Sequence, residues 1–335
     1  MILVTGGTGL VGAHLLYRLV ESGKKVRATY RHSNKLKNIK RVFSTYTNSY
    51  ESLFNTIEWV KADILDVPAL LEAFDDVKQV YHCAAFVSLE PDKYHLLRKT
   101  NIEGTANVVN VAISKHIEKL CYVSSIATLG KELNKPITEE TNWDSEADNN
   151  VYAITKYGAE MHIWRAMQEG LNAVIVNPGV ILGAGIWHYG TGALFRKAQK
   201  GIRYYTSGSI GLIDVQDVVH IMIQLLESNI TNERFVLVAE NWTYKNFLQA
   251  LAKSVNTTPP KKQASSLLLN IAWKLDWLIH KLTGRRRQLT KHLVETLKTK
   301  SNYNSDKIKQ VLNYNFKPVS ETISFIGNNI TLLKG

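Results

Sequence analysis

A strand, a glycine turn, a helix and a second strand occupy the first thirty residues, and few folds can begin that way. Ile2-Leu-Val-Thr5 is a short apolar run leading into Gly6-Gly-Thr8-Gly9-Leu10-Val11-Gly12. Leu15, Leu16, Leu19 and Val20 then recur at helical spacing, Gly23 ends the helix, and Val26-Arg-Ala-Thr-Tyr30 is the next strand. Glycines let backbone N–H groups approach a pyrophosphate, and the positive end of a helix favours its charge. Gly12 lets the helix pack closely on the strand. The pattern predicts a dinucleotide-binding unit with Gly6, Thr8, Gly9, Leu10, Val11 and Gly12 at the phosphates.

The end of the second strand selects the dinucleotide. An acid there would bond the adenosine ribose of NAD, whereas an arginine pairs with the 2′-phosphate of NADP. The chain has Tyr30 in the acid's place, then Arg31 and His32. This favours NADP, with NAD as the alternative if Arg31 is only a solvated loop residue. Residues 33–56 are polar and irregular. Ile57 to Lys61 resumes as a strand and delivers Asp63 and Ile64 as neighbours of the adenine, and a helix follows from Val67 to Phe74. The strand Gln79–His82 runs into Cys83-Ala84-Ala85, where small residues admit a ligand. A helix from Lys99 to Lys115 carries Asn101, and the strand Lys119–Val123 ends in Ser124-Ser125. Strands alternating with helices imply a parallel sheet, which binds ligands at the carboxyl ends of its strands. The glycine turn, His82–Ala85 and Ser124–Ser125 all fall at such ends. The expected fold is α/β, a Rossmann-type doubly wound parallel sheet. Its cofactor domain is expected over 1–180 with a return segment at 210–240. A smaller, mainly helical substrate-binding part is expected over 181–209 and 241–335.

Val151 to Glu169 reads as a helix stopped by Gly170, and residues four apart put Tyr152 and Lys156 on one face. A neighbouring ammonium favours phenolate, so Lys156 is expected to lower the Tyr152 pKa for acid–base work. Ala173–Val176 is a buried strand, after which Asn177-Pro178-Gly179 turns toward the cofactor. Gly183 to Gly192, with Trp187 and Tyr189, is read as a substrate-facing loop, and Leu212 to Val218 as a strand-to-helix return in which Asp217 could equally be a helix N-cap. Phe235–Val238 is the last clear strand. No metal-ligand cluster is apparent, and no metal is expected.

The composition, 45% hydrophobic and 21% charged, is that of a globular protein. Cys83 and Cys121 sit in apolar runs and read as buried thiols of a reducing compartment. With no signal peptide or spanning segment expected, the cytoplasm is the expected location. The net charge of +12 is concentrated: residues 261–317 hold 13 Lys and Arg against 3 Asp and Glu. Nucleic-acid binding would rest on that segment alone and is not expected. Inside it, Leu268, Ile271, Ala272, Leu275, Leu278, Ile279 and Leu282 mark an amphipathic helix over 265–284, followed by Arg285-Arg-Arg287. Lys274 and Asp276 prevent it from spanning a membrane. It reads as a core helix, as a lid over an apolar pocket, or as an in-plane contact of residues 265–287 with an anionic membrane surface.

Thr5-Gly6-Gly-Thr-Gly9-Leu-Val-Gly12, His82-Cys-Ala-Ala85, Asn101, Ser124-Ser125, Tyr152 to Lys156 and Asn177-Pro178-Gly179 stand in one family's order and spacing. The chain resembles an extended short-chain dehydrogenase/reductase of the NAD-dependent epimerase/dehydratase group. Val26 to Arg31 is similar to the dihydroflavonol 4-reductase and 3β-hydroxysteroid dehydrogenase branch. The resemblance implies Ser125, Tyr152, Lys156 and Asn101 as catalytic residues. Tyr152 would protonate a carbonyl oxygen, Ser125 would hold it, and Lys156 would serve Tyr152 and the nicotinamide ribose. Gly6, Thr8, Gly9, Leu10, Val11, Gly12, Arg31, Asp63, Ile64, Ala84, Ala85, Asn177, Pro178 and Gly179 would join Tyr152 and Lys156 around NADP. The expected activity is reduction of a ketone, or its reverse, on a mostly apolar small molecule by a homodimer. A sugar-nucleotide epimerase or dehydratase is the alternative enzyme, although Ile126-Ala127 stand where a dehydratase would carry acids. A non-catalytic NADP sensor or scaffold is the alternative of another class.

Overall fold

The computed structural model describes residues 1–132, 135–284, 287 and 289–332. β1 (Ile2–Thr5), α1 (Leu10–Glu21) and β2 (Val26–Tyr30) have the expected order, and α2 (Leu36–Phe43) and α3 (Tyr50–Asn55) fill the irregular stretch. β3 (Glu58–Lys61) starts one residue later than expected, because the Ile57 N–H is spent closing the last turn of α3 on Phe54 O. Next come α4 (Val67–Ala73), β4 (Gln79–His82) and α5 (Tyr94–Leu97). A π-helical turn over Arg98–Glu103 joins α5 to α6 (Gly104–Ser114), so the single helix expected there is widened at Asn101. β5 (Lys119–Val123), α7 (Val151–Gln168) and β6 (Ala173–Pro178) complete the first half.

The second half holds β7 (Val180–Leu182), α8 (Gly190–Gln199), β8 (Tyr204–Tyr205), β9 (Ser209–Asp214), α9 (Val215–Glu227) and β10 (Glu233–Leu237). β11 (Glu240–Thr243), α10 (Tyr244–Ser254), β12 (Lys262–Gln263), α11 (Ser266–Thr283), α12 (Lys291–Lys298), α13 (Asp306–Leu312) and α14 (Val319–Leu332) follow.

Seven parallel strands stand in the order β10-β6-β5-β4-β1-β2-β3. Alternate residues of one strand serve opposite faces. Val4, Cys121, Val174 and Val176 pack with α1, α2 and α9, while Leu3, Leu120, Tyr122 and Ile175 pack with α4, α6 and α7. The order reverses between β1 and β4, so the carboxyl ends of those neighbours border the crevice of a doubly wound sheet.

A second lobe forms on a three-stranded sheet, β11-β9-β7, covered by α8, α10 and α14 around Trp187, Phe195, Leu212, Phe247 and Ile323. The expected return segment is therefore divided: β9 belongs to this smaller sheet, and α9 and β10 to the larger unit. Asp214, rather than Asp217, caps α9 by accepting from Gln216 N at 2.7 Å. Asp217 sits in the first turn and accepts from Tyr314 OH and Lys317 N.

α11 is capped by the Ser265 hydroxyl and ended by left-handed Gly284, as its sequence pattern predicts. It is not a core helix. Leu269 and Trp273 face inward against Val294 and Leu289, while the apolar stripe faces outward. Arg285 and Arg286 lie outside the described residues. Among the described residues, no helix is long and apolar enough to cross a membrane, and no group of side chains has metal-ligand geometry.

Candidate functional site

The glycine turn is closed by Gly9 N donating to Gly6 O at 2.9 Å, and α1 starts at Leu10 with Gly9 as its N-cap. Gly6 has φ +70°, and a Cβ there would fall 2.5 Å from the Ala84 backbone. At Gly12 a Cβ would meet Gly6 O at 2.4 Å. The glycines thus bring the loops after β1 and β4 into backbone contact and seat the α1 amino terminus, with Leu10 and Val11 in its first turn, directly behind them. A glycine-rich turn leading into the amino terminus of a twelve-residue helix fits a pyrophosphate.

Arg31 follows β2, and its guanidinium lies 3.7 Å from the Asp63 carboxylate. Both side chains are more than a third exposed, so this ion pair is weak and leaves Arg31 available to an anion. Tyr30, Arg31, His32, Ser33, Asn34 and Lys61 line one pocket, a basic wall with no acid among its lining residues. Lys61 is the signal that the sequence reading passed over. It is the register partner of Tyr30 across β2 and β3. Ile64 follows Asp63 at the same end of β3. Its side chain is buried, and a Cβ on Gly104 would fall 2.5 Å from the Ile64 Cδ1.

α7 lies across the carboxyl end of β5 and carries the acid–base pair. Ser125 caps a short 3₁₀ turn over Ile126–Thr128, its hydroxyl accepting from Ala127 N at 3.1 Å. Burial raises the Tyr152 pKa above that of an ordinary phenol, and the hydrogen bond with Ser125 opposes this. The expected lowering by Lys156 is not what the structure shows. The ammonium donates instead to Tyr122 OH at 2.6 Å and to Val123 O at 2.8 Å. Burial lowers the Lys156 pKa to about 7, opposed by the charge of Glu160. Tyr122, in turn, begins a buried chain of hydroxyls and one imidazole. Thr105 hydrogen-bonds the Tyr122 phenol, and His82 joins Thr105 at 3.0 Å to Thr5 at 2.7 Å. Burial lowers the His82 pKa to about 3, so its ring is neutral.

Glu160 is the residue that the sequence reading missed. It stands one helical turn beyond Lys156, a spacing that the sequence itself offered. Its carboxylate is fully buried and accepts from Ser124 Oγ at 2.5 Å, Thr128 Oγ1 at 2.8 Å and Asn177 Nδ2 at 2.9 Å. Its other oxygen accepts from Trp164 and pairs with Arg234 at 3.2 Å. These bonds tie the ends of β5 and β6 to the helix bearing Tyr152.

The remaining expected residues lie at the same strand ends and are tied into the protein around them. Asn101 is buried, exchanges hydrogen bonds with the backbone N–H and carbonyl of Phe86, and donates to Thr155 Oγ1 at 3.1 Å. It pins the loop carrying Ala84 and Ala85 to α7, and both ends of its amide are spent. Asn177 donates to Ser125 O, while its buried Oδ1 has no hydrogen-bond partner among the described residues. Pro178 pairs with Leu237, and Gly179 lets β9 approach, since a Cβ there would meet Gly211 O at 2.6 Å. The loop over Gly183–Gly192 is only partly open. Ile186 and Trp187 are buried, leaving His188 and Tyr189 exposed. Cys83 and Cys121 are free thiols, with the Cys83 pKa pushed up to about 12 by burial.

A family model described as the NAD dependent epimerase/dehydratase family matches residues 2–238. The chain is 30% identical over 279 residues to a Synechocystis sp. protein named "Putative dihydroflavonol 4-reductase", covering 81% of this chain and 77% of the relative. It is 27% identical to cinnamoyl-CoA reductase 1 of Petunia hybrida, covering 70% of this chain and 72% of that one. The crystal structure of UDP-glucose 4-epimerase from Thermotoga maritima superposes with a TM-score of 0.77. That match is 18% identical and covers 100% of this chain and 99% of that one, so it is a likeness of fold alone.

Proposed function

This chain belongs to the NAD dependent epimerase/dehydratase family, and from that premise we propose that it is an NADP-dependent reductase of a ketone on a mostly apolar small molecule. Family and relatives make it an NAD(P)-dependent oxidoreductase acting on alcohol and ketone groups. The cofactor preference, the substrate class and the role of tyrosine are the proposed part.

The observation that carries the reading is Tyr152 held against Ser125 at the carboxyl end of β5, with Lys156 one turn further along the same helix. When bound, the nicotinamide supplies or takes the hydride. Tyr152 gives its phenolic proton to the substrate oxygen, and Ser125 donates a hydrogen bond to the same oxygen. A phenol that burial keeps protonated is a proton donor, which suits the reducing direction. Lys156 reaches this region as a buried cation or amine poised near neutrality. The basic wall of Arg31, His32 and Lys61 suits a 2′-phosphate, and Tyr30 offers no carboxylate to the ribose of NAD. The relatives named as reductases of dihydroflavonol and cinnamoyl-CoA support an apolar carbonyl substrate.

The test is a screen with the purified protein. It is first assayed for co-purified NAD, and NADPH oxidation is then followed with hydrophobic ketones and, separately, with nucleotide sugars. Turnover of a ketone with NADPH is expected. Tightly held NAD and interconversion of nucleotide sugars would overturn the reading in favour of an epimerase.

A further inference from the structure

The outward face of α11 takes no part in the core of the fold. At about 100° per residue, Leu267, Ile271, Leu275, Leu278, Ile279 and Leu282 fall within an arc of about 120° on an 18-residue helix. They point away from the domain. Leu267 is 71% exposed, Leu275 53% and Leu282 75%, whereas Leu269 on the opposite side is 9% exposed. A contiguous apolar stripe of this kind on a folded surface calls for a partner.

The edges of the stripe say which partner. Lys274 and Lys281 lie along one border and are exposed, with Trp277 beside them and Lys281 over its ring. Lys261, Lys262 and Lys291 are exposed at the two ends of the unit. Residues 261–317 carry a net charge of +10. A second copy of this chain would set two such segments against each other, and like charge would oppose the contact. An anionic bilayer surface neutralises the lysines, accepts leucines into the acyl boundary and places tryptophan at the headgroup level.

We propose that α11 docks this protein in the plane of an anionic membrane surface, its leucine stripe buried and its lysines at the headgroups. The helix spans nothing, since no described helix is apolar enough to cross. α12, which packs under it, carries His292 at 3.6 Å from Asp148, just ahead of the helix bearing Tyr152. The inference rests on the surface and its charge, independently of the reductase reading.

The test is co-sedimentation of the full-length protein with vesicles of phosphatidylcholine alone and of phosphatidylcholine with phosphatidylglycerol, at low and high salt. The protein should pellet with the anionic vesicles at low salt and be released as salt rises. The double variant Leu275→Glu/Leu278→Glu should partition at least about tenfold less while melting like the wild type, because both side chains are exposed. Wild type left in the supernatant at low salt, equal pelleting with neutral and anionic vesicles, or a double variant that pellets like the wild type would each overturn the proposal. So would a dimer in solution that the double substitution dissolves without any vesicle binding, which would assign the stripe to a second copy.

Discussion

The Lys156 ammonium donates to the Tyr122 hydroxyl at 2.6 Å, from α7 to a strand 34 residues earlier. Burial of this pair lowers the Lys156 pKa from 10.5 to about 7. Between those values the folded protein binds fewer protons at this lysine than the unfolded chain does. The charged form thus costs stability below pH 7, and that cost is relieved as pH rises toward 10.5. Lys156→Met should remove the cost. Losing the bond to Tyr122 subtracts roughly 1 kcal/mol at every pH, so the slope is the signal. The melting temperature of the variant minus that of the wild type should be greatest near pH 6 and shrink toward pH 10. A difference that is flat or grows with pH contradicts the assignment.

Glu160 is buried against Arg234, Ser124, Thr128 and Asn177. Glu160→Ala removes the carboxylate that Ser124, Thr128 and Asn177 share and the buried ion partner of Arg234, and should cost about 3–5 kcal/mol in urea unfolding. A loss below about 1 kcal/mol would show that the network does not hold α7 to the sheet.

Much of this was legible in the sequence. β1, β2, β4 and β5 have the expected bounds because each is a short apolar run with abrupt polar or glycine edges. The helix of Tyr152 and Lys156 was legible for a similar reason, a long run ended by Gly170, which adopts φ +97°. What was not legible depends on contacts distant in sequence. Nothing local says that Lys156 turns to Tyr122, that Trp187 is buried in the second lobe, or that β9 pairs with β7 and β11. Asp214 and Asp217 look alike as caps until Tyr314 and Lys317 claim the second. Glu160 was readable in spacing alone, but its partners lie on three other elements.

Gly12→Ala tests the glycine turn. The added methyl would sit 2.4 Å from Gly6 O and 2.9 Å from Gly7 Cα, so the turn must open. Stability should fall by about 1–3 kcal/mol and NADPH affinity should drop with it. Unchanged binding and stability would mean that the turn is not the phosphate cradle.

Arg31→Ala tests the cofactor preference. Loss of one charge-assisted bond to the 2′-phosphate is worth about 1.5–3 kcal/mol, so NADPH should bind roughly tenfold to a hundredfold more weakly. NADH binding should be unaffected. Equal affinity of the wild type for NADH and NADPH would contradict the basic wall's assigned role.

Tyr152→Phe, assayed with the ketone that the wild type reduces fastest, is the most direct measurement. The substitution keeps the ring beside Ser125 and deletes the hydroxyl that carries the proton. With NADPH affinity unchanged, kcat should fall by at least ~10²-fold. A Phe variant that binds NADPH and turns over at the wild-type rate would contradict proton donation by Tyr152, and with it the proposed mechanism.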